Sequence, residues 1–277
     1  MVCGLQVRIS PALLPGGTPD RDFPWWLLLV IGGGLYLFWQ VLANPTYAAI
    51  LATLSAGIVT TVMVTLVSFA GACVLGLLLA VATLSRFVIL RQAARLYIEV
   101  MRGIPIVVLL LYVAFVGAPA LVAFVNWAGE PLGLPDWRTR DFPLLYRAIV
   151  ALMLAYAAFL AEIFRAGLQA VDPGQIEAAQ SLGLNGWQRF RHIRFPQAFR
   201  MILPPLGNDF VAMVKDSSLV AVLGVGDVAQ LGKVTAAGNF MYFETYNVVA
   251  LIYLTMTISL SLAMRKLESR MRSHTQK

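Results

Sequence analysis

Polar residues interrupt one apolar stretch of the sequence, 202–225, and their side chains are the ones best suited to chemistry. They are Asn208, Asp209, Lys215, Asp216 and Ser217. Ionisable groups at membrane depth are unfavourable, so they usually face a water-filled cavity or a partner group. Carboxylates and an ammonium group there could bind a zwitterionic or cationic solute. We prefer the structural interpretation, in which Lys215 and Asp216 compensate each other or pair with groups on neighbouring helices.

No other group of reactive side chains is spaced for catalysis or metal binding. The two cysteines, Cys3 and Cys73, are far apart in the sequence, and His192 and His274 lie among arginines and in the tail. The phosphate-binding pattern G-x-x-x-x-G-K-S/T is absent from the sequence. We therefore expect no catalytic residues, no metal site and no cofactor on this chain. A membrane enzyme, which would need convergent acid, base or nucleophilic groups, is disfavoured.

The elements that must position the polar residues are membrane helices. Hydrophobic residues make up 59% of the chain, charged residues 13%, and the mean hydropathy is +0.77, whereas soluble domains are roughly a quarter charged. A helix needs about 20 apolar residues to cross a bilayer. The sequence predicts an all-α integral membrane protein with about six transmembrane helices, at 25–43, 58–82, 104–128, 144–163, 202–225 and 247–264. In the least apolar of these, we expect Pro204, Pro205 and Gly207 to loosen the backbone.

The basic residues predict the orientation of the chain. All but five of the 21 Lys and Arg residues fall in segments that would share one side of the membrane. Because positive loops stay in the cytoplasm, both termini and the segment 172–196 are predicted to be cytoplasmic. The net charge of +7 then reflects topology, and no nucleic-acid partner is expected. The five exceptions are Arg138, Arg140, Arg147, Lys215 and Lys233.

The polar segment 172–196 begins with the signals of a short helix. Asp172 is a favourable N-cap followed by proline, and Gln175 is placed to reach back to the N–H group of the cap residue. Gly183 stands where a residue in the left-handed conformation ends a helix. We therefore predict a first helix from residue 173 to about residue 182.

A second short helix is predicted directly after the first. Asn185 and Gln188 repeat the capping pattern, and Pro196 is expected to end the helix. The result would be a compact helix-turn-helix, in which Ala178 and Ala179 allow another surface to approach closely. Such a composition is typical of a docking element, although a loop that packs only on its own bundle is the simpler alternative.

The spacing of residues in this segment resembles the EAA motif of the permease subunits of bacterial ABC importers. That motif reads Glu-Ala-Ala, three residues, Gly, nine residues, Ile, one residue, Leu and Pro. Phe195 stands here in the position of the Leu, which is a mild departure. The matching residues are Glu177, Ala178, Ala179, Gly183, Ile193 and Pro196.

The flanking segments resemble one branch of that family, the polar amino-acid permeases. The similar stretches include "YIEVMRGIP" and "FPQAFRMILPPLGNDFVAMVKDSSL", with Ile104 and Ser217 where the branch usually has Thr. The resemblance covers roughly 52–264 as a permease domain. It leaves 1–51 as an extension with an additional transmembrane helix, and 265–277 as a basic cytoplasmic tail.

The resemblance implies a type I ABC importer permease fold whose cytoplasmic coupling helix sits in a groove of a separate ATPase. It implies four kinds of partner: a cytoplasmic ABC ATPase dimer that binds ATP and Mg²⁺, a second permease subunit, an extracytoplasmic amino-acid-binding protein and the lipid bilayer of a bacterial inner membrane. The residues expected to couple to the ATPase are Glu177, Ala178, Ala179, Gly183, Asn185, Ile193 and Pro196.

A charged helical face precedes the third predicted span. Its members, Arg91, Arg95, Glu99 and Arg102, recur at steps of three or four residues and therefore share one face of an interfacial helix. The face could simply be solvated, with a Glu99–Arg102 pair. Alternatively, Arg102 with Gly103 and Pro105 could form a cytoplasmic gate, because glycine and proline permit a bend. The translocation path or gate is then predicted to comprise Arg102, Gly103, Pro105, Asn208, Asp209, Lys215, Asp216 and Ser217.

Two further patterns favour ordinary structural roles. Small residues recur every fourth position on one face of the second span, which is typical of close helix packing in lipid. Glu162 and Arg165 are three residues apart at the end of the fourth span, where an ion pair is expected. The small residues are Ser68, Ala72, Gly76 and Ala80.

Together these patterns predict the permease subunit of an importer that moves polar amino acids into the cytoplasm by alternating access. The energy would come from ATP hydrolysis on another chain. An importer for another small solute, such as methionine or an osmolyte, is a near alternative. An ion-coupled secondary transporter, which should show internal repeats, is a more distant one.

Overall fold

The computed structural model describes residues 25–133 and 135–273, and within them every regular element is helical. The predicted all-α fold is therefore confirmed for the described residues. Wider π turns precede α5 and α9, and a 3₁₀ turn follows α9. In chain order the helices are α1 Trp25–Ala43, α2 Pro45–Thr83, α3 Val88–Gly103, α4 Ile106–Tyr112, α5 Ala118–Gly129, α6 Leu144–Gln169, α7 Pro173–Ser181, α8 Gly186–Arg189, α9 Phe195–Asp216, α10 Val228–Asn239 and α11 Tyr242–Ser273.

Four helical segments of the described chain are long and apolar enough to cross a bilayer: α2, α6, the greater part of α11, and Ile106–Leu132, which contains α4 and α5. For α1, Trp25–Ala43, the described apolar segment is Leu28–Ala43. The stretch 202–225 is not one of these segments, because polar residues interrupt it. The α-helix that covers most of it, α9, begins before residue 202, at Phe195, and ends at Asp216. The total of about six spans stays a prediction.

Helix α2 is much longer than the span predicted at 58–82. It begins after Asn44, whose side-chain oxygen accepts a hydrogen bond from the backbone N–H of Thr46 at 2.9 Å. Its 39 residues extend about 58 Å at about 1.5 Å per residue, whereas the hydrocarbon core of a bilayer is about 30 Å thick. The helix therefore projects well beyond the membrane, which hydropathy alone did not indicate.

The centre of the bundle is the contact between α2 and α6, and the predicted small-residue face of α2 forms it. Ser68 and Ala72 are fully buried, and the Ser68 hydroxyl donates a hydrogen bond to the Ile149 carbonyl at 3.2 Å. A Cβ atom added to Gly76 would lie 3.0 Å from the Ala157 carbonyl oxygen. The packing interpretation of this face is thus confirmed.

Replacing Gly76 by valine is expected to destabilise the bundle. The new side chain would collide with the backbone of α6, and overpacking of this kind costs about 1–3 kcal/mol. Thermal unfolding of the purified protein in mild detergent measures the effect. Gly33→Val is the matched control, because a Cβ atom at Gly33 in α1 meets nothing within 4 Å. Equal melting temperatures for the two variants would contradict the tight α2–α6 contact.

Helix α9 runs through prolines that were expected to end or loosen helical structure. The second helix of the polar segment does not stop at Pro196: α8 continues through the π turn Phe190–Arg194 directly into α9. Pro196 stands in the first turn of α9, directly after this π turn, which closes with the Phe195 N–H donating to the Phe190 carbonyl. The helix also continues through Pro204 and Pro205. The predicted compact helix-turn-helix is therefore wrong in its second half.

Candidate coupling helix and translocation path

Helix α7 begins at the predicted cap but is held by a different contact from the one expected. The Asp172 side chain accepts a hydrogen bond from the Gly174 N–H at 2.8 Å. Gln175 does not reach back to the cap; its side-chain oxygen accepts from the Gln197 amide at 2.6 Å. This bond ties α7 to the first turn of α9. A local cap pattern could not reveal it, because the partner lies 22 residues away.

The turn after α7 has the left-handed geometry that was predicted at Gly183. Gly183 has φ +80°, in the left-handed region, and its N–H donates to the Gln180 carbonyl at 3.0 Å. The next N–H, of Leu184, donates to the Ala179 carbonyl at 3.1 Å. Asn185 and Gln188 then form the predicted reciprocal cap of α8, with both bonds at 2.9 Å. Backbone bonds and caps therefore fix the angle between α7 and α8.

The surface of this segment is open to a partner. Glu177 and Ala178 are exposed, whereas Ala179 is buried, and α7 packs against α8 and the π turn Phe190–Arg194. The two alanines that were expected to act together thus lie on opposite sides, and only Ala178 offers close approach from outside. Two large apolar side chains of the same segment are also exposed: the exposed fraction is 80% for Leu182 and 66% for Trp187. Asn185 and Pro196 are also exposed, and Ile193 is half-buried.

The polar residues of α9 are brought to different environments. Asn208 and Lys215 are exposed, whereas Asp209 and Asp216 are half-buried. Asp216 accepts a hydrogen bond from the Tyr156 hydroxyl of α6 at 2.7 Å. The predicted partner on a neighbouring helix is therefore present for Asp216.

The alternative, mutual compensation between Lys215 and Asp216, is not observed. Among the described residues the ion pairs are Arg140–Asp141 and the predicted Glu162–Arg165. The buried Ser217 hydroxyl donates to the Val214 carbonyl at 2.7 Å. Ser217 is thus engaged with its own backbone.

The predicted bend before the third span is present. Helix α3 ends at Gly103, Ile104 and Pro105 are extended, and α4 follows. The Glu99–Arg102 ion pair, which was one of the two alternatives for this face, does not form within the described residues. The Arg102 guanidinium lies 5.9 Å from the centre of the Phe159 ring of α6 instead. A cation over an aromatic face is favourable, so Arg102 connects this bend to α6.

A buried polar cluster, missed in the sequence, joins α2, α10 and α11. Asp227 is fully buried and caps α10 by accepting a hydrogen bond from the Gln230 N–H at 2.8 Å. It also accepts from the Tyr253 hydroxyl of α11 at 3.0 Å. On α2, the Thr61 hydroxyl oxygen accepts from the Val228 N–H at 3.3 Å. The cap position of Asp227 before a helical pattern was a signal that could have revealed part of this cluster.

Arg147 is a second residue whose role the sequence did not indicate. It is 7% exposed, and its guanidinium donates to three backbone carbonyls. The acceptors are Phe142, at 2.7 Å, Ala114 in the π turn before α5, at 2.8 Å, and Thr139. Arg147 therefore holds the loop before α6 and the irregular turn of the preceding span in one place.

A bundle of apolar helices that carries an exposed, rigidly capped helix between two long helices is the architecture of a membrane permease subunit. Residues 72–273 match the family described as "Binding-protein-dependent transport system inner membrane component", and the chain belongs to that family. The solved structure entitled "Crystal structure of an amino acid ABC transporter with histidines" has 33% sequence identity to the chain, with a TM-score of 0.67. The match covers 79% of this chain and 94% of that one, so the expected type I importer permease fold is confirmed.

Relatives of known sequence agree with the family. The chain is 40% identical over 187 residues to the probable amino-acid permease protein YxeN of Bacillus subtilis, covering 68% of this chain and 77% of the relative. It is 36% identical over 212 residues to the glutamine transport system permease protein GlnP of Escherichia coli, covering 76% and 90%. The MetNI methionine ABC transporter, with 22% identity and a TM-score of 0.60, shares the fold.

Proposed function

We propose that this chain is the membrane subunit of an importer of polar amino acids, driven by ATP hydrolysis on a separate ATPase. The observation that carries the proposal is the exposed helix α7, with Glu177 and Ala178 on its open side and Gly183 fixing its end. The names of the relatives at 36–40% identity support polar amino acids as the solute class. The ATPase would hold the ATP and Mg²⁺.

In this proposal α7 transmits motion from the ATPase to the membrane helices. The Gln175–Gln197 bond and the continuous helix from α8 into α9 would carry a displacement of α7 to Asp209 and Asp216. The exposed Asn208 and half-buried Asp209 would line the path of the solute, and the bend at Gly103 and Arg102 would form the cytoplasmic gate. Asp216, already bonded to Tyr156, would have an architectural role.

The proposed assembly contains two permease subunits, two ATPase subunits and an extracytoplasmic binding protein. It would lie in a bacterial inner membrane with both termini of this chain in the cytoplasm. Substrate would enter when the ATPases close and leave when they reopen. The division into an extension 1–51, a permease domain 52–264 and a basic tail 265–277 stays a prediction.

Affinity purification from the native membrane in mild detergent tests the docking role of α7. We expect a soluble P-loop ATPase to copurify with the wild-type chain and to be lost with Glu177→Lys, because the reversed charge lies at the centre of the exposed helix. Glu130→Lys is the matched control, since Glu130 is also exposed but precedes α6, the long helix that separates it from α7. Recovery of no ATPase with the wild-type chain would refute the importer proposal.

The solute class needs a separate measurement. The complex, reconstituted in vesicles with its binding protein and internal ATP, is expected to accumulate radiolabelled polar amino acids. Uptake of methionine or an osmolyte, without uptake of any polar amino acid, would retain the importer mechanism and reject the proposed solute.

A further inference from the structure

A cavity of about 1270 Å³ lies where the end of α2 and the end of α6 meet α7 and the π turn before α9. Ordinary small-molecule sites occupy about 300–1,000 Å³, so this cavity has room for a larger ligand. In the proposed topology it lies at the cytoplasmic boundary of the membrane, directly behind the docking helix. Nothing in the proposed import mechanism requires a cavity there.

One wall of the cavity is apolar and belongs to the membrane part of α2. Leu75, Leu78, Leu79 and Val81 line it, and Leu78 is 62% exposed. These residues belong to α2, whose most apolar 18-residue stretch has a mean hydropathy of 2.5. This wall is therefore suited to a hydrocarbon chain rather than to a polar solute.

Exposed basic side chains belong to the rim of the cavity. Arg86 and Arg194 both line it, and Glu177 is the single carboxylate in its lining. Both arginines are exposed, and neither forms an ion pair within the described residues. The rim therefore carries an excess of positive charge at the depth where lipid headgroups lie.

An adjoining cavity of about 220 Å³ extends this basic rim. It shares Ile176, Phe190 and Arg194 with the larger cavity and adds Arg189. One terminal nitrogen of Arg189 donates to the Gln180 side-chain oxygen at 2.9 Å, and the Nε atom of Arg189 is buried without a hydrogen-bond partner. Because guanidinium groups bind phosphate oxygens in a bidentate manner, the rim offers unused donors to a phosphodiester.

We propose that this cavity binds an anionic phospholipid. An acyl chain would lie along the leucines of α2, and the phosphodiester would lie between Arg86 and Arg194. Basic pockets between membrane helices on the cytoplasmic side are known to bind anionic headgroups. Because the half-buried Ile176 of α7 also lines the cavity, the lipid would support the docking helix from its membrane side. Glu177 is exposed and lines the cavity as well, so it lies where the cavity meets the open surface of α7.

Native mass spectrometry of the intact transporter, exchanged into mild detergent with phosphatidylglycerol, tests the proposal. We expect the wild-type complex to retain phosphatidylglycerol and the double variant Arg86→Gln/Arg194→Gln to bind it about 100-fold more weakly, since two charge-assisted contacts are removed. Arg191→Gln is the matched control, because Arg191 is exposed on the same turn and does not line either cavity. Leu78→Trp should also weaken retention by filling the apolar end.

Four outcomes would overturn the proposal. Equal retention by the wild type and the double variant would remove the role of the arginines. Equal binding of phosphatidylcholine would show that the negative charge of the lipid is not recognised, and competition by inorganic phosphate at the same concentration would show a simple anion site. If the double variant lost the ATPase but still retained the lipid, the cavity would be assigned to protein docking. Lipid retention is counted independently of uptake, so failure here is distinguishable from failure of the importer proposal.

Discussion

Replacing Gly183 by proline is expected to abolish amino-acid uptake while the membrane helices stay folded. Gly183 has φ +80°, whereas proline is restricted to a φ of about −65°, so the left-handed end of α7 cannot form. The substitution also removes the N–H that bonds to the Gln180 carbonyl. Because the turn is exposed and distant from the bundle centre, the expected consequence is a reoriented α7 that no longer transmits motion.

The measurement compares ATP hydrolysis and uptake by the reconstituted complex. We expect uptake to fall by at least about tenfold, corresponding to about 1.4 kcal/mol, while ATP hydrolysis persists without coupling. Gly186→Pro is the matched control: Gly186 is the first residue of α8, a position that favours proline, and nothing lies within 4 Å of its added Cβ atom. Loss of the protein from the membrane with Gly183→Pro would contradict a purely coupling role.

Replacing Arg147 by leucine is expected to prevent stable folding of the subunit. The guanidinium satisfies three backbone carbonyls, those of Phe142, Ala114 and Thr139. A buried acceptor left without its donor costs about 1–3 kcal/mol. The bond to Ala114 is buried and those to Phe142 and Thr139 are part-buried, so their combined loss is a substantial share of the about 5–15 kcal/mol that stabilises a typical protein. The irregular turn before α5 would lose the side chain that binds its free carbonyl.

Expression and size-exclusion profiles in mild detergent measure this effect. Arg147→Leu should yield little monodisperse protein, and Arg140→Leu should behave as the wild type. Arg140 is the appropriate control because it lies in the same loop, is exposed, and makes only a 4.0 Å surface pair with Asp141, which contributes about 0–1 kcal/mol. A well-folded Arg147→Leu protein would show that the loop is held by other contacts.

Much of the structure of the candidate coupling helix α7 and the turn after it could be predicted because its signals are local. The Asp172 cap, the left-handed Gly183 and the Asn185–Gln188 cap all depend on bonds between residues at most a few positions apart. The apolar spans and the small-residue face of α2 could also be predicted. The length of an apolar segment and the spacing of small residues along a helix are properties of one segment and do not depend on the rest of the fold. The spacing of the EAA-like residues likewise led to the family directly.

The failures concern residues whose neighbours are distant in sequence. Gln175 bonds to Gln197 and not to its own cap. Pro196 does not end its helix, because a π turn shifts the register before it. Arg102 lies over Phe159 and not beside Glu99. For Gln175 and Arg102 the local pattern offered one partner and the packed bundle supplied another, whereas for Pro196 the difference is a change in the helical turn directly before it.

The sequence by itself therefore determined the class of protein, the apolar helices and the caps that shape α7, because backbone hydrogen bonds and transfer into lipid depend on short stretches of chain. Only the tertiary structure decided where the polar groups act. It brought Asp227 to Tyr253, Arg147 to the Ala114 carbonyl, and the arginines at 86 and 194 to the mouth of one cavity. The physical reason is that a buried or interfacial charge takes whichever partner the packing of other helices places beside it, and no local pattern specifies that partner.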